Sequence, residues 1–227
     1  MKKSFFNELK EWVGILAMAL VVAIFINNVI ITNSFIPTPS MESNLPVGSR
    51  LFGFRLNYLF SNPERGDVVI FDYGYNCKNC NKMYQKNEEK RCPDCSRPDS
   101  KNEKVHFIKR VIGLPGDHIE IRMDYTADTE LFRATHFQDE DMKVPCGHVY
   151  INGEKYDEPY LNEPMIVNGF YREVDYTVPD DCYFLLGDNR NNSEDARFWP
   201  NPFIPKKEIE AKAYLIYWPL NRFGIIK

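Results

Sequence analysis

Two stretches of this 227-residue chain place reactive side chains where their chemistry can change. In "FIPTPSMESNL" (Phe35–Leu45), Ser40 sits in a proline-restricted loop. "VHFIKRVIGLPGD" (Val105–Asp117) reads as a strand. Its period-2 alternation puts Val105, Phe107, Lys109 and Val111 on one face, and His106, Ile108, Arg110 and Ile112 on the other. A serine hydroxyl needs a base to become a nucleophile at neutral pH. A lysine serves only where its ammonium form is destabilised, and burial among apolar neighbours without a carboxylate partner does this. Blander readings stand beside this one. A loop serine is ordinarily a turn or N-cap residue, and alternation alone favours a lysine that snorkels to solvent.

Four cysteines make a second constellation. Cys77-x2-Cys80 and Cys92-x2-Cys95, eleven residues apart, have the spacing of two metal-binding knuckles of a small zinc ribbon. Four thiolates supply a tetrahedral sulfur shell, whose negative charge Lys82, Lys86, Lys90 and Arg91 would offset. Two disulfides, or a redox-active pair, remain open where the compartment is oxidising. Cys146 and Cys182 form a separate pair, either buried thiols or a disulfide.

The elements that must position these groups are mainly strands. Aromatic content is 14%, and strand-like runs separated by "PERGD", "LPGD", "INGE" and "VPDD" recur. They predict strands at 50–54, 67–73, 105–112, 118–123, 148–151, 172–178, 183–186 and 212–217, with one short helical segment at Pro202–Ile209. The expected fold is mainly β, barrel-like or of strongly coiled sheets. Residues 74–104 interrupt it with eight Lys/Arg, five Asp/Glu and few apolar residues. Such a segment needs a staple to offset its ordering entropy.

From Trp12 to Ile31 the chain carries no charge over 20 residues, about 30 Å as a helix and long enough to cross the hydrocarbon core. No A-x-A-like site follows this run, which argues for a retained anchor over a cleaved signal peptide. Lys2, Lys3 and Lys10 precede it, and the next basic residue is Arg50. The positive-inside rule then gives a cytoplasmic tail at 1–11, an anchor at 12–32 and an extracytoplasmic body at 33–227, with 74–104 inserted in it. The net charge of −4 gives nucleic-acid binding no support.

Four blocks, in order, resemble the bacterial type I signal peptidases: "FIPTPSMESNL", "RGDVVIF" (Arg65–Phe71), "KRVIGLPGD" (Lys109–Asp117) and "GDNRNNSEDAR" (Gly187–Arg197). Alone, the last would read as an ordinary surface turn. The single anchor is similar to the Gram-positive form. The resemblance implies a signal-peptidase-like β body with Ser40 as nucleophile and Lys109 as general base. It implies that Ser193 orients the lysine amine, and that Thr38 joins the Ser40 N–H in an oxyanion hole. Asp188, Arg190, Asp195 and Arg197 become a supporting polar network. It further implies no cofactor for catalysis, exported preproteins as substrates, the lipid bilayer as surroundings and the secretion translocon as a further partner.

Departures are Ser43 and Asn44 where the family commonly has Pro-Thr, Asn191 for Asp, Ala196 for Ser, and the cysteine-bearing insertion. Two rivals fit less. Ser–Lys autopeptidases of the SOS-repressor kind are soluble. A membrane-tethered zinc-ribbon adaptor leaves the four blocks unexplained. Among the histidines, His106 faces away from Lys109, and His118, His136 and His148 lie outside the blocks.

Overall fold

The computed structural model describes residues 5–42, 44–132, 142–168 and 173–226. Lys2, Lys3, Ser43 and His136, named above, and the first residue of the predicted strand 172–178 lie outside them. In chain order the strands are β1 (Ile31–Phe35), β2 (Arg50–Phe54), β3 (Val68–Asn76), β4 (Met83–Gln85), β5 (Glu103–Gly113), β6 (His118–Asp128) and β7 (Lys143–Ile151). They continue as β8 (Glu154–Lys155), β9 (Met165–Ile166), β10 (Val174–Thr177), β11 (Cys182–Leu186), β12 (Phe203–Pro205), β13 (Ile209–Trp218) and β14 (Gly224–Ile225). The strands make two antiparallel sheets rather than one closed barrel. One runs β1-β2-β13-β3-β5-β11-β12, with β14 on β13 and β4 on β3; the other runs β10-β6-β7-β8, with β9 on β7.

The continuous apolar run of β3 follows from burial on both faces. Val69 and Phe71 enter the main core with Val111, Ile119, Val149 and Phe184. Val68 and Ile70 enter a second core with Ile36, Met41, Leu45, Leu51 and Ala213. The second core therefore seats the residues on either side of Ser40.

The predicted strands are found, most of them longer than expected. Pro202–Ile209 is not helical; it holds β12 and a single 3-10 turn, Lys206–Glu208. Pro205 stands at the turn's N-cap, where its lack of an N–H costs no helical bond. The insertion is less separate than its composition suggests. Its outer residues extend β3 and β5 as one ladder, with Tyr75 opposite Lys104 and Asn76 opposite Glu103.

Helix α1 spans Phe5–Phe25, passes into a π turn at Ile26–Ile30, and ends where β1 begins. The uncharged run is thus not one straight α-helix, and its last residue, Ile31, pairs with Phe54 of β2. Glu8, Lys10 and Glu11 lie in the first turns of α1. No helix among the described residues is long and apolar enough to cross a membrane.

Candidate active site

Ser40 lies in a 3-10 turn, Pro39–Met41, entered from an extended Thr38 (φ −123°, ψ 154°). Residues before proline are held in that region by the ring, and Pro39 presets the first turn angle. Buried Met41 and Leu45 pin the turn to the second core. Its other side is clamped by the Gly187–Asn189 loop. Asn189 N–H donates to Ser40 O at 3.0 Å, and its Nδ2 donates to Pro39 O at 3.0 Å.

Lys109 is 4% exposed, and its Nζ lies 2.6 Å from Ser40 Oγ. As alternation predicts, it shares a face with Phe107, whose ring centroid is 5.5 Å from Nζ. Burial pushes the lysine's pKa down to about 8; Asp195 and Asp188 pull it upward and Arg197 adds to the depression. The Thr38 Oγ1 is 3.5 Å from Ser40 Oγ, the outer limit of a hydrogen bond.

Ser193 differs from its expected role. It is buried beside Gly187, but its hydroxyl makes no hydrogen bond, so the expected bond to the Lys109 amine is not formed. Gly187 is required here, because a Cβ would lie 2.2 Å from Ser193 Oγ and 2.6 Å from Ser40 O.

The supporting charges pair differently from their spacing. Asp188 is held by Arg110, with Nε–Oδ1 at 2.8 Å and Nη2–Oδ2 at 2.6 Å, and by Asn44 Nδ2 at 2.7 Å. Arg190 instead makes a two-pronged pair with Glu158, including Nη1–Oε2 at 2.7 Å, and Tyr160 donates to Glu158 at 2.6 Å. Asp195 and Arg197 do pair, at 2.8 and 2.9 Å, and Gly187 N–H donates to Asp195. Burial pushes the Asp195 carboxyl up, but Arg197 and the Gly187 N–H outweigh it, and the net shift is downward.

Arg110 and Glu158 were therefore missed. Arg110 does face away from Lys109, but into the protein, where it is 2% exposed. Its apolar face-mates Ile108 and Ile112 were the available signal. Glu158 sits in a loop with no periodicity to mark it. Asn191 explains its departure from the family pattern. Its amide donates to Glu163 at 3.0 Å and Pro164 O at 2.9 Å, and its Oδ1 accepts from Ile166 N–H at 2.9 Å. A carboxylate has no N–H with which to reach those two oxygens. Ala196 is buried, with its N–H on Leu185 O at 3.2 Å.

The four insertion cysteines converge, away from this site; Cys146 and Cys182 are free thiols in separate apolar clusters. A cleft of about 1540 Å³ lies between the insertion and the body, lined by Tyr73, Tyr84, Lys86, Glu194, Phe203 and Glu208. Neither Ser40 nor Lys109 lines it, although Glu194 adjoins Ser193. Chemically, the site holds a hydroxyl against an amine whose pKa burial brings down to about 8, inside a braced polar frame.

The family profile described as "Signal peptidase, peptidase S26" matches residues 9–218. A "Signal peptidase I" from Leptolyngbya laminosa is 32% identical, over 96% of this chain and 84% of that one. A "Probable signal peptidase I-2" from Synechocystis sp. is 31% identical, over 92% of this chain and 72% of that one. The crystal structure of a signal peptidase I from Enterococcus faecalis V583 is 22% identical, covers 67% of this chain and 97% of its own, and has a TM-score of 0.37.

Proposed function

This chain belongs to the signal peptidase family, peptidase S26, and on that premise we propose that it is a membrane-bound serine endopeptidase that removes signal peptides from exported preproteins. The observation that carries the reading is the 2.6 Å approach of the buried Lys109 Nζ to Ser40 Oγ. Neutral Lys109 accepts the Ser40 proton as Oγ attacks the scissile carbonyl. The new C–O bond makes a tetrahedral oxyanion, whose donors are the Ser40 N–H and the Thr38 hydroxyl. Pro39 has no N–H, so Ser40 N–H is the first of its turn and has no partner within it. Each such donor is worth about 3–4 kcal/mol in the transition state.

Lys109 then gives its proton to the leaving amine, the C–N bond breaks, and an acyl-enzyme remains. Water, deprotonated by Lys109, resolves it. Cleavage after a small-x-small (Ala-x-Ala) sequence and hand-over from the secretion translocon follow from the family resemblance. No cofactor enters these steps.

Membrane attachment rests on the character of α1. Trp12, Val13, Ile15, Leu16, Leu20 and Val21 are all exposed, around its whole circumference. A helix apolar on every side needs apolar surroundings. Trp12–Phe25 and the π turn through Ile30 together make an uncharged run of 19 residues, longer than the apolar part of α1 alone. With Lys2, Lys3 and Lys10 on the cytoplasmic side, the body lies outside, and Ser40 stands ten residues beyond Ile30, beside the bilayer surface. The test is reconstitution with a labelled preprotein in vesicles. Ser40→Ala and Lys109→Ala should each lose at least about a thousandfold in kcat. Wild-type cleavage by either variant overturns the reading.

A further inference from the structure

The insertion is built as two copies of one local fold. In the first hairpin Cys77 N–H donates to Lys82 O at 2.9 Å, and Asn81 N–H donates to Cys77 O at 2.8 Å. In the second, Cys92 N–H donates to Arg97 O at 2.9 Å, and Ser96 N–H donates to Cys92 O at 2.8 Å. Asn81 and Ser96, each four residues after the first cysteine, take positive φ angles of 56° and 57°. Non-glycine residues adopt that region at a cost, so its repetition at matching positions marks an imposed geometry.

The two hairpins face each other through their thiols. All four Sγ atoms lie within 4.8 Å of one another. The cross-hairpin separations are 3.4 Å for Cys77–Cys95 and 3.5 Å for Cys80–Cys92. A tetrahedron with metal–sulfur bonds of about 2.3 Å has edges of roughly 3.8 Å. A disulfide requires about 2.05 Å. Four sulfurs drawn together without pairing off are a metal shell in shape.

The insertion's own apolar core is small. Its buried apolar residues are Cys77, Cys92 and Tyr84, with Tyr75, Cys80 and Cys95 packed against them. That is too little apolar area to order a highly charged loop. The charge also suits a metal. Four thiolates around a divalent ion leave a net charge of about −2. Lys82 lies close enough to feel Cys80 and Cys92 and is tied to Asp94 at 3.2 Å, and Lys78, Lys90 and Arg91 adjoin the cysteines in sequence.

We propose that Cys77, Cys80, Cys92 and Cys95 bind one structural zinc ion that fixes the insertion to the catalytic body. Each thiol gives its proton to solvent as its sulfur bonds the metal, so no oxidant or reductant is involved. The shell is complete at four sulfurs and leaves no position for water or substrate, which separates this metal from the peptidase chemistry. What it holds in place is specific. β4 pairs with β3, Tyr75 opposite Tyr84, and the Tyr84 hydroxyl donates to Asp99. Lys86 bridges Asp72 and Glu208, and Gln85 donates to Asn201 O at 2.9 Å. The zinc thereby braces one wall of the cleft between insertion and body.

The experiment uses the full chain purified in detergent without added metal. Elemental analysis should give about one zinc per chain. Cobalt exchanged into the site should show the sulfur-to-metal charge-transfer bands of a tetrahedral four-thiolate shell. The double variant Cys80→Ser/Cys95→Ser should hold less than about a tenth of that zinc, and trypsin should then cut within residues 78–101. An iron-loaded protein, or a metal-free protein lighter than the fully reduced chain by about four hydrogens, overturns the proposal, and so does zinc retained by the double variant. If that variant does not accumulate, the wild-type metal content and intact mass decide alone. None of these readings depends on peptidase activity, so failure here and failure of the Ser40–Lys109 mechanism are separately visible.

Discussion

Lys109 resolves a conflict between stability and chemistry in favour of chemistry. Its amine is buried with its pKa at about 8 against an ordinary 10.5, so the fold carries the cost of a desolvated ammonium. At pH 7 roughly one molecule in ten holds the neutral base. The rate of acylation should therefore climb about tenfold per pH unit toward 8 and level off above it. Stability follows the same group with a definite sign. Because the folded pKa lies below the unfolded one, the penalty is full below about pH 8 and fades between about 8 and 10.5. Lys109→Met should then be inactive yet more stable at pH 7, by an order of 3 kcal/mol, with the difference shrinking by pH 10. Urea melts at the two pH values measure it, and equal stability of variant and wild type at pH 7 would sink the account. The strand alternation made half of this legible. It put Lys109 with Phe107 on an apolar face and Arg110 with Ile108 and Ile112 on the other, but it did not show what that second face meets. There Arg110 is buried too, bound to Asp188, because both faces of β5 are covered from Lys109 to Gly113.

At the scale of elements, the site is a turn held between a core and a loop. Met41 and Leu45 anchor the Ser40 turn from below, and Asn189 ties its backbone from above. Gly187 is the contact point. Adding a methyl group there should push apart Ser193 and the Ser40 carbonyl, with no polar group removed. Gly187→Ala should cost about a hundredfold in kcat, as a misplacement of about 1 Å does, while leaving KM for a peptide substrate near that of wild type. Wild-type kcat would show that the loop does not set the nucleophile's position. Strand positions were readable because their period, β-branched content and turn punctuation act over a few residues. What the sequence left dark was pairing across distance. Asp188 and Arg190 are two residues apart but bind Arg110 and Glu158, 78 and 32 residues away. Spacing along the chain carries no information about partners brought in by another strand or loop. The expected Ser193–Lys109 bond was likewise a carried-over role, and the hydroxyl instead stands buried against Gly187 without a partner.

For the whole molecule the decisive join is the one between α1 and the sheet. β1 pairs all five of its residues with β2 and leads within five residues to Ser40. Phe35 sits opposite Arg50, and Arg50 sits opposite Trp218, so exposed Phe35 and Trp218 flank one strand end on either side. The reactive turn thus hangs from the segment that leaves the helix, and on the proposed reading the helix serves to concentrate the site at the membrane surface. This predicts a sharp difference between two truncations. A chain of residues 31–227 keeps β1 and should fold and cleave a soluble signal-sequence peptide at close to the full-length rate. Against a preprotein held in vesicles it should lose about a hundredfold or more, the local-concentration gain that a short tether supplies. A chain of residues 36–227 also strips the edge strand that enters the Ser40 turn, so it should melt earlier and lose peptide cleavage as well. Peptide kinetics, vesicle processing and thermal melts on the two truncations separate these outcomes. If residues 31–227 process membrane-held preproteins as fast as the full chain, the anchor does not act by localisation. If they fail on the soluble peptide, α1 contributes to the site itself.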